Sequence, residues 1–398
     1  MVNIVHINLN ARGGSERLAL STIASLKQID GIDIDLTTYQ KPDVHRIKST
    51  YGKRGLLAIR SIKTLNIIRS LKNVHLKKNY DLTINTHGDM LPFYQKDFSK
   101  DNAITYCHFP LAKYLIDVEN EEYGRLLYGL CCSNIPDYRE NLHSARNAYF
   151  DMMRNSTVLT NSEYSRKAIQ KTFNIDPTVL SPPVDVDLFR KAALFSSMNT
   201  RDDTILTISR FHPSKKIENA IRLAKLLKQN GIGRGMKIVG NLSPAMLGYY
   251  HYLKHIVQRQ ELSDYVNFRV NVSFDKLLSL ICGAKVYFHP LPGEPFGIST
   301  VEAMSAGLIP VVPDIGGHIE FVPLKYRFGT FTEAIGSIAA AMNASFAERI
   351  RISNSVRRFS ISNYINGFQQ IIKEMFIISS KSNYQKIKSV PPIVSKTY

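Results

Sequence analysis

Short β-type runs alternate with longer stretches of helical period along the whole chain. Val2–Leu9, Ile34–Thr38, Asp81–Asn85, Ala103–Cys107 and Thr157–Thr160 read as strands in the first half. Thr204–Ile208, Met236–Val239, Tyr265–Arg269, Lys285–His289 and Ile309–Val312 repeat the pattern in the second. Strands separated by helices imply βαβ units and a parallel sheet, and two successive sets imply two α/β domains. Between them, Asp176–Arg201 holds Pro177, Pro182 and Pro183 and then a polar segment, which predicts a stiff connector without regular helix. Near the end, Tyr364, Phe368, Ile371, Met375 and Ile378 fall at steps of four and three, an amphipathic helix. The expected organisation is a first domain over 1–176, a linker over 177–200, a second domain over 201–362 and a helix over 363–380. Residues 381–398, with four lysines, no acid and a Pro-Pro pair, read as a basic, mobile tail.

Composition narrows this picture. A chain of 398 residues with 44% hydrophobic positions can fill two or three cores. No apolar run is long enough for a membrane-spanning helix. Val2–Leu9 is broken by Asn3, His6 and Asn8 and lacks a basic leader, so it reads as a strand and not a signal peptide. The four cysteines form no zinc-type spacing, which suits a reducing, cytoplasmic setting.

The net charge of +18 favours anionic partners without choosing among nucleic acid, anionic lipid and phosphorylated substrate. From Val44 to Tyr80 there are ten cations (Arg46, Lys48, Lys53, Arg54, Arg60, Lys63, Arg69, Lys72, Lys77 and Lys78) and no acid. Apolar residues interleave every third position at Leu56, Ile59, Ile62, Leu65, Ile68 and Leu71, so a helical stripe would drift around the axis. Two readings stay open: the solvated side of a domain helix, or peripheral contact with an anionic membrane surface. No compact nucleic-acid motif appears, and the cations do not alternate with aromatics as a stacking platform, so no nucleic-acid partner is expected.

The chemistry concentrates between Pro292 and Val322. A strand ending at His289-Pro290 enters a Pro/Gly loop, and a helix starts near Gly297–Ser299. Free N–H groups at a helix start form an anion site, and Gly297 lets a phosphate approach the backbone. Glu294 precedes that start and Glu302 lies about one turn inside. Carboxylates placed so can accept hydrogen bonds from sugar or ribose hydroxyls. In open α/β sheets this loop must lie at the carboxyl ends of the strands, where ligands bind.

The segment from Glu294 through Glu302, followed by Glu-Ala-Met-x-Ala-Gly-x-x-Pro-Val-Val, resembles glycosyltransferase family 4, a retaining group with the GT-B fold. Ile208-Ser-Arg-Phe-His-Pro-Ser-Lys-Lys is similar to the family's strand-end segment, which implies Arg210 and Lys215 as ligands of the donor diphosphate. Gly13-Gly14-Ser-Glu-Arg is similar to its first Gly-rich turn, beside donor and acceptor. Tyr106-Cys-His-Phe-Pro resembles its strand-end histidine, in the form seen in mannosyltransferases of lipid-linked oligosaccharide assembly. Ser181-Pro-Pro-Val-Asp-Val-Asp-Leu-Phe resembles the interdomain connector. Lys216 and Val270 depart from the pattern, standing where the family often has Gly.

The resemblance implies two Rossmann-like domains whose parallel sheets face a central crevice. It implies a nucleotide-sugar donor, GDP- or UDP-hexose, on the second domain and a glycan or polyprenyl-linked acceptor on the first. Donor contacts would come from Gly13, Gly14, Arg210, Lys215, Glu294, Phe296, Gly297, Ile298, Ser299 and Glu302. Glu294, His108, Arg210 and Lys215 would carry the chemistry, with His108 and His87 toward the acceptor. Asp185-Val-Asp187 matches the Asp-x-Asp string of metal-dependent transferases, but it falls in the connector and reads as structural. No metal or cofactor is then expected, and Lys, Arg and helix N-termini meet the phosphate charge. The site is expected in the cytoplasm, peripheral to the cytosolic membrane face. The alternatives are a GT-B epimerase or phosphorylase, or a non-catalytic partner subunit.

Overall fold

The computed structural model describes residues 1–11, 13–67, 80–88, 99–110, 149–195 and 201–388. Seven strands form the first sheet: β1 (Val2–Val5), β2 (Ile34–Thr38), β3 (Thr64–Ile67), β4 (Leu82–Asn85), β5 (Ala103–Cys107), β6 (Thr157–Thr160) and β7 (Thr178–Val179). Six form the second: β8 (Asp202–Ile208), β9 (Gly235–Gly240), β10 (Val266–Val270), β11 (Ala284–Phe288), β12 (Ile309–Pro313) and β13 (Arg327–Phe328). The orders are β3-β2-β1-β4-β5-β6-β7 and β10-β9-β8-β11-β12-β13, with parallel pairing throughout. Each sheet thus runs outward from its first strand, turns back, and continues on the other side, as in a doubly wound Rossmann sheet. The reversal lies between β1 and β4 in one domain and between β8 and β11 in the other.

The strands are buried on both faces, and in the first sheet polar residues such as Asn3, Asp35 and Thr83 are buried among the apolar ones. Ile4, Leu36, Ile84 and Ile104 are buried with Leu18 and Ile23 of helix α1 (Gly14–Leu26). Ile205, Ile238, Val286 and Val311 are buried with Ile221 and Leu227 of the Ile217–Gln229 helix. The last helix, Ile361–Lys388, returns to the first domain and adds Tyr364, Phe368 and Ile372 to that core. The Tyr364 hydroxyl lies 2.7 Å from Thr22 Oγ1, and Gln369 donates to the Ser25 carbonyl at 3.1 Å.

Three expectations change. The basic stretch is not one helix: α2 covers Val44–Arg60, with Gly52 at φ 71° inside it, and β3 follows at Thr64–Ile67. Its three-residue apolar repeat fitted no single element because it spans a helix, a turn and an edge strand. Residues 68–79, with Arg69, Lys72, Lys77 and Lys78, lie outside the described residues. The connector contains a helix, Val186–Phe195, whose Phe189 is buried in the second domain. Pro182 and Pro183 precede this helix and do not interrupt it. Finally, the last helix continues past residue 380, so 381–388 are helical. Residues 389–398 are outside the described set.

Candidate functional site

β8 and β11 deliver the second domain's groups. After β8 the chain passes exposed Arg210 and enters a single 3₁₀ turn, Pro213–Lys215. His212 Nδ1 accepts from the Ser214 amide at 3.2 Å and so caps this turn. Lys216 then takes a left-handed backbone, φ 50°, a conformation that favours glycine. This turn aims Lys215 Nζ at Glu294 Oε2, 2.9 Å away.

After β11, His289 is buried, and its Nε2 lies 3.4 Å from the same Glu294 oxygen. The Tyr287 hydroxyl links His289 Nδ1 at 3.0 Å and Ser299 Oγ at 2.8 Å. Burial would raise the Glu294 carboxyl, but the Lys215 charge and the His289 contact override it and hold it far below its usual range. Behind them, burial and the neighbouring His289 push His318 down to about 4. His318 Nε2 donates to the Pro313 carbonyl at 2.8 Å, which fixes that tautomer.

The loop carrying Glu294 is pinned by backbone. Gly293 N donates to Ile315 O at 3.0 Å, and Gly317 N donates to Glu294 O at 2.8 Å. The two strands of loop lie so close that a methyl group on Gly317 would overlap the Pro295 carbonyl. Gly297, at φ 96°, then turns the chain into the Ile298–Ser305 helix, leaving the helix start without a side-chain cap. The Phe296 ring does not face this opening. It is buried against Phe321 and Phe359, which leaves the backbone of this residue, not its ring, beside the helix start.

The first domain contributes from the ends of β1, β4 and β5. His6 is fully buried, with Nδ1 2.9 Å from Thr86 Oγ1 and Nε2 3.5 Å from Glu16. Burial raises the Glu16 carboxyl, and His6 more than offsets this, leaving it below its ordinary value. His87 lies against His6, ring centroids 4.6 Å apart, and 6.2 Å from His108. Burial first, and then the charges of His6, His108 and Arg210, keep His87 well below the usual imidazole range. His108 Nε2 is 3.3 Å from the Thr86 carbonyl.

Gly13 caps α1 without a side-chain bond, and its amide donates to the Tyr51 hydroxyl of α2 at 3.0 Å. Gly14 abuts Ile298 of the second domain. One turn further on, Arg17 meets Glu302 at 2.7 Å. A third bridge runs from Ser162 Oγ to Pro295 O at 2.6 Å.

The structure therefore brings Gly14, Ile298 and Glu302 together across the crevice, and Lys215 and Glu294 together on its second-domain wall. Arg210 is exposed after β8, and its charge is the smallest of those that lower His87. His289, Arg17, His6, Glu16 and Tyr51 were not among the predicted site residues. Asp185 and Asp187 remain in the connector, Asp187 exposed in the first turn of its helix. Among the described residues, no group of three or more His, Cys, Asp or Glu is placed to hold a metal ion. Chemically, the crevice offers two uncapped helix starts, Arg210 and Lys215 for phosphate, and carboxylates for hydroxyl groups.

Compared with known proteins, residues 192–350 match the glycosyl transferases group 1 family. The second domain is a group 1 glycosyl transferase domain. The group 1 domain holds Arg210, Lys215, Glu294 and Glu302. A GDP-Man:Man(3)GlcNAc(2)-PP-Dol alpha-1,2-mannosyltransferase of Dictyostelium discoideum is 30% identical over 234 residues, 55% of this chain and 46% of the relative. The human alpha-1,3/1,6-mannosyltransferase ALG2 is 23% identical over 252 residues, 58% of this chain and 56% of that protein. The chain spans about half the length of the curated relatives it matches. A glycosyltransferase from Rickettsia africae superposes with TM-score 0.65 at 14% identity, covering 94% of this chain and 98% of its own. Anabaena Alr3699/HepE in complex with UDP gives 0.62 at 15% identity, covering 94% and 99%. These solved structures extend over both domains, so the group 1 domain sits within a GT-B fold.

Proposed function

We propose that this protein is a retaining glycosyltransferase that moves a hexose from a nucleoside diphosphate sugar to a glycan or lipid-linked acceptor. The observation that carries this reading is the Lys215–Glu294–His289 group at 2.9 and 3.4 Å beside the uncapped helix start at Gly297. A cation, a fixed carboxylate and free amides at a switch point suit a diphosphate bonded to a sugar. The likeness to relatives named for GDP-Man and dolichol-linked acceptors supports mannose as the sugar and a polyprenyl-linked glycan as the acceptor.

In this reading Glu302 holds the ribose and Glu294 positions the transferred sugar. Arg210, Lys215 and the amides around Gly297–Ser299 stabilise the negative charge that develops as the diphosphate departs. Each well-placed donor of this kind contributes about 3–4 kcal/mol to the transition state. Lys215 already lies against Glu294, so charge and carboxylate are fixed before the donor arrives. His87, held neutral, and His108 face the acceptor side, and the acceptor attacks the front face with the departing phosphate taking its proton. Closure of the crevice excludes the water that would hydrolyse the donor. No metal or resident cofactor takes part. Contact with an anionic membrane through α2 would bring lipid-linked acceptors to the first domain; among the described residues no helix is long and apolar enough to cross a membrane.

The test is ligand-induced thermal stabilisation without added metal. GDP or GDP-mannose at a hundred times its dissociation constant should add about 2.7 kcal/mol. A UDP response instead would keep the reaction and change the donor. No shift with any nucleotide would refute the donor site.

A further inference from the structure

Two of the contacts between the domains are set one helical turn apart on both partners. Gly14 abuts Ile298, and Arg17 meets Glu302 at 2.7 Å. Steps of three residues on α1 and four on the Ile298–Ser305 helix keep each pair on a single face. The first turns of the two helices therefore dock side by side in a fixed register. The ion pair is well shielded, with 19% of the Arg17 side chain and 10% of the Glu302 side chain exposed.

It is also a one-point contact. Arg17 Nη1 donates to Glu302 Oε1, and among the described residues Oε2 takes no hydrogen bond. A carboxylate held by one oxygen is oriented but keeps lone pairs for a ligand. Burial opposes the Arg17 charge, while Glu302 and the nearby Asp185 sustain it.

We propose that Arg17 is a positioning residue for the donor: it holds Glu302 with Oε2 presented to the ribose hydroxyls, so that the first domain senses the ribose through α1. This rests on the reading of Glu302 as a ribose ligand. It goes further by giving a residue of the opposite domain a share in donor recognition. A nucleotide without ribose hydroxyls would bind the second domain but make no contact with the Glu302 Oε2 that Arg17 presents.

The experiment compares GDP with 2′,3′-dideoxy-GDP (or the UDP pair, if UDP is the nucleotide bound) by titration calorimetry on the full chain. Wild type should prefer the ribose form by about tenfold or more, a difference of about 1.4 kcal/mol. Arg17→Gln should lose most of that preference by weakening GDP alone, and Arg17→Lys, which can still make a one-point contact, should restore it. Equal weakening of both nucleotides in Arg17→Gln would show a merely structural role and overturn the proposal. So would an undiminished preference.

A measurement on the unmodified chain decides the matter if Arg17→Gln does not fold. Hydrogen exchange at the amides of the first turns of α1 should slow with GDP and not with the dideoxy form. Equal protection by both overturns the proposal. If wild type binds no nucleotide, the donor-site reading itself falls and takes this inference with it.

Discussion

Lys215→Met removes the cation from the Lys215–Glu294 pair while nearly keeping side-chain volume. Their side chains are only 23% and 15% exposed, so the orphaned carboxylate stays poorly hydrated. Breaking a fully buried pair costs about 3–5 kcal/mol. Partial exposure and the remaining His289 contact reduce this to about 2 kcal/mol for the second domain at pH 7.5. For a domain of this size that corresponds to a fall of roughly 4–8 °C in Tm. The chain has no tryptophan, so scanning calorimetry is the suitable assay.

The pH dependence separates this cause from general damage. In wild type the Glu294 carboxyl lies far below its value of 4.5 in a free chain, so its stabilising contribution is present above about pH 4.5 and fades as pH falls. In the variant the Lys215 charge is gone, and burial drives the same carboxyl upward. Its ionised form then destabilises at neutral pH, and taking up a proton relieves the loss as pH falls toward 5. The Tm gap between variant and wild type should therefore narrow from pH 7.5 to pH 5. Adding Glu294→Gln to Lys215→Met should restore most of the stability at pH 7.5 but not the activity. An equal gap at both pH values, or a double variant no more stable than the single, would refute the electrostatic account.

Lys215→Ala should lower turnover by 100-fold or more, about 2.7 kcal/mol, and near-normal single-turnover kinetics would remove Lys215 from the mechanism. EDTA should leave transfer intact; loss of activity rescued by manganese would return Asp185 and Asp187 to consideration as ligands. Gly317→Ala forces a methyl group onto the Pro295 carbonyl, so the Glu294 loop must shift and nucleotide-induced stabilisation should fall at least tenfold in affinity, about 1.4 kcal/mol. Unchanged nucleotide binding would show that the loop geometry is dispensable. Anionic vesicles should sediment with the protein at low salt through the cations of α2 and release it at high salt, and no binding at low salt would refute membrane contact.

The sheets were legible because short β-type runs alternate with longer stretches of helical period along the chain. Ile34–Thr38, Ala103–Cys107 and Thr157–Thr160 were placed to the residue. β7 and β13, of two residues each, are too short to show any period, and β3 was hidden in the basic stretch. The Val186–Phe195 helix was masked by the prolines before it.

The site divided along a similar line. Lys215, Glu294, Gly297 and Glu302 announce themselves because charge and glycine cluster at strand ends. Arg17 did not, since its partner lies 285 residues away and only the docking of two helices joins them. His289 looked like an ordinary strand-end residue until Tyr287 and Glu294 were seen on its two nitrogens. Phe296 sits in the motif but turns its ring into the core, because the Gly297 turn directs the following residues, not this one, toward the opening.

The return of the last helix to the first domain bears on how the chain acquires its shape during synthesis. Tyr364, Phe368 and Ile372 close a core begun by Val2 and Ile4, and they leave the ribosome only after the whole second domain. At about 5–20 residues per second, that delay is on the order of ten seconds or more. During it the second domain can fold, while the first waits with one apolar wall uncovered, a surface suited to chaperones. Damage or truncation near residue 364 would therefore be felt in the earlier-made of these two domains.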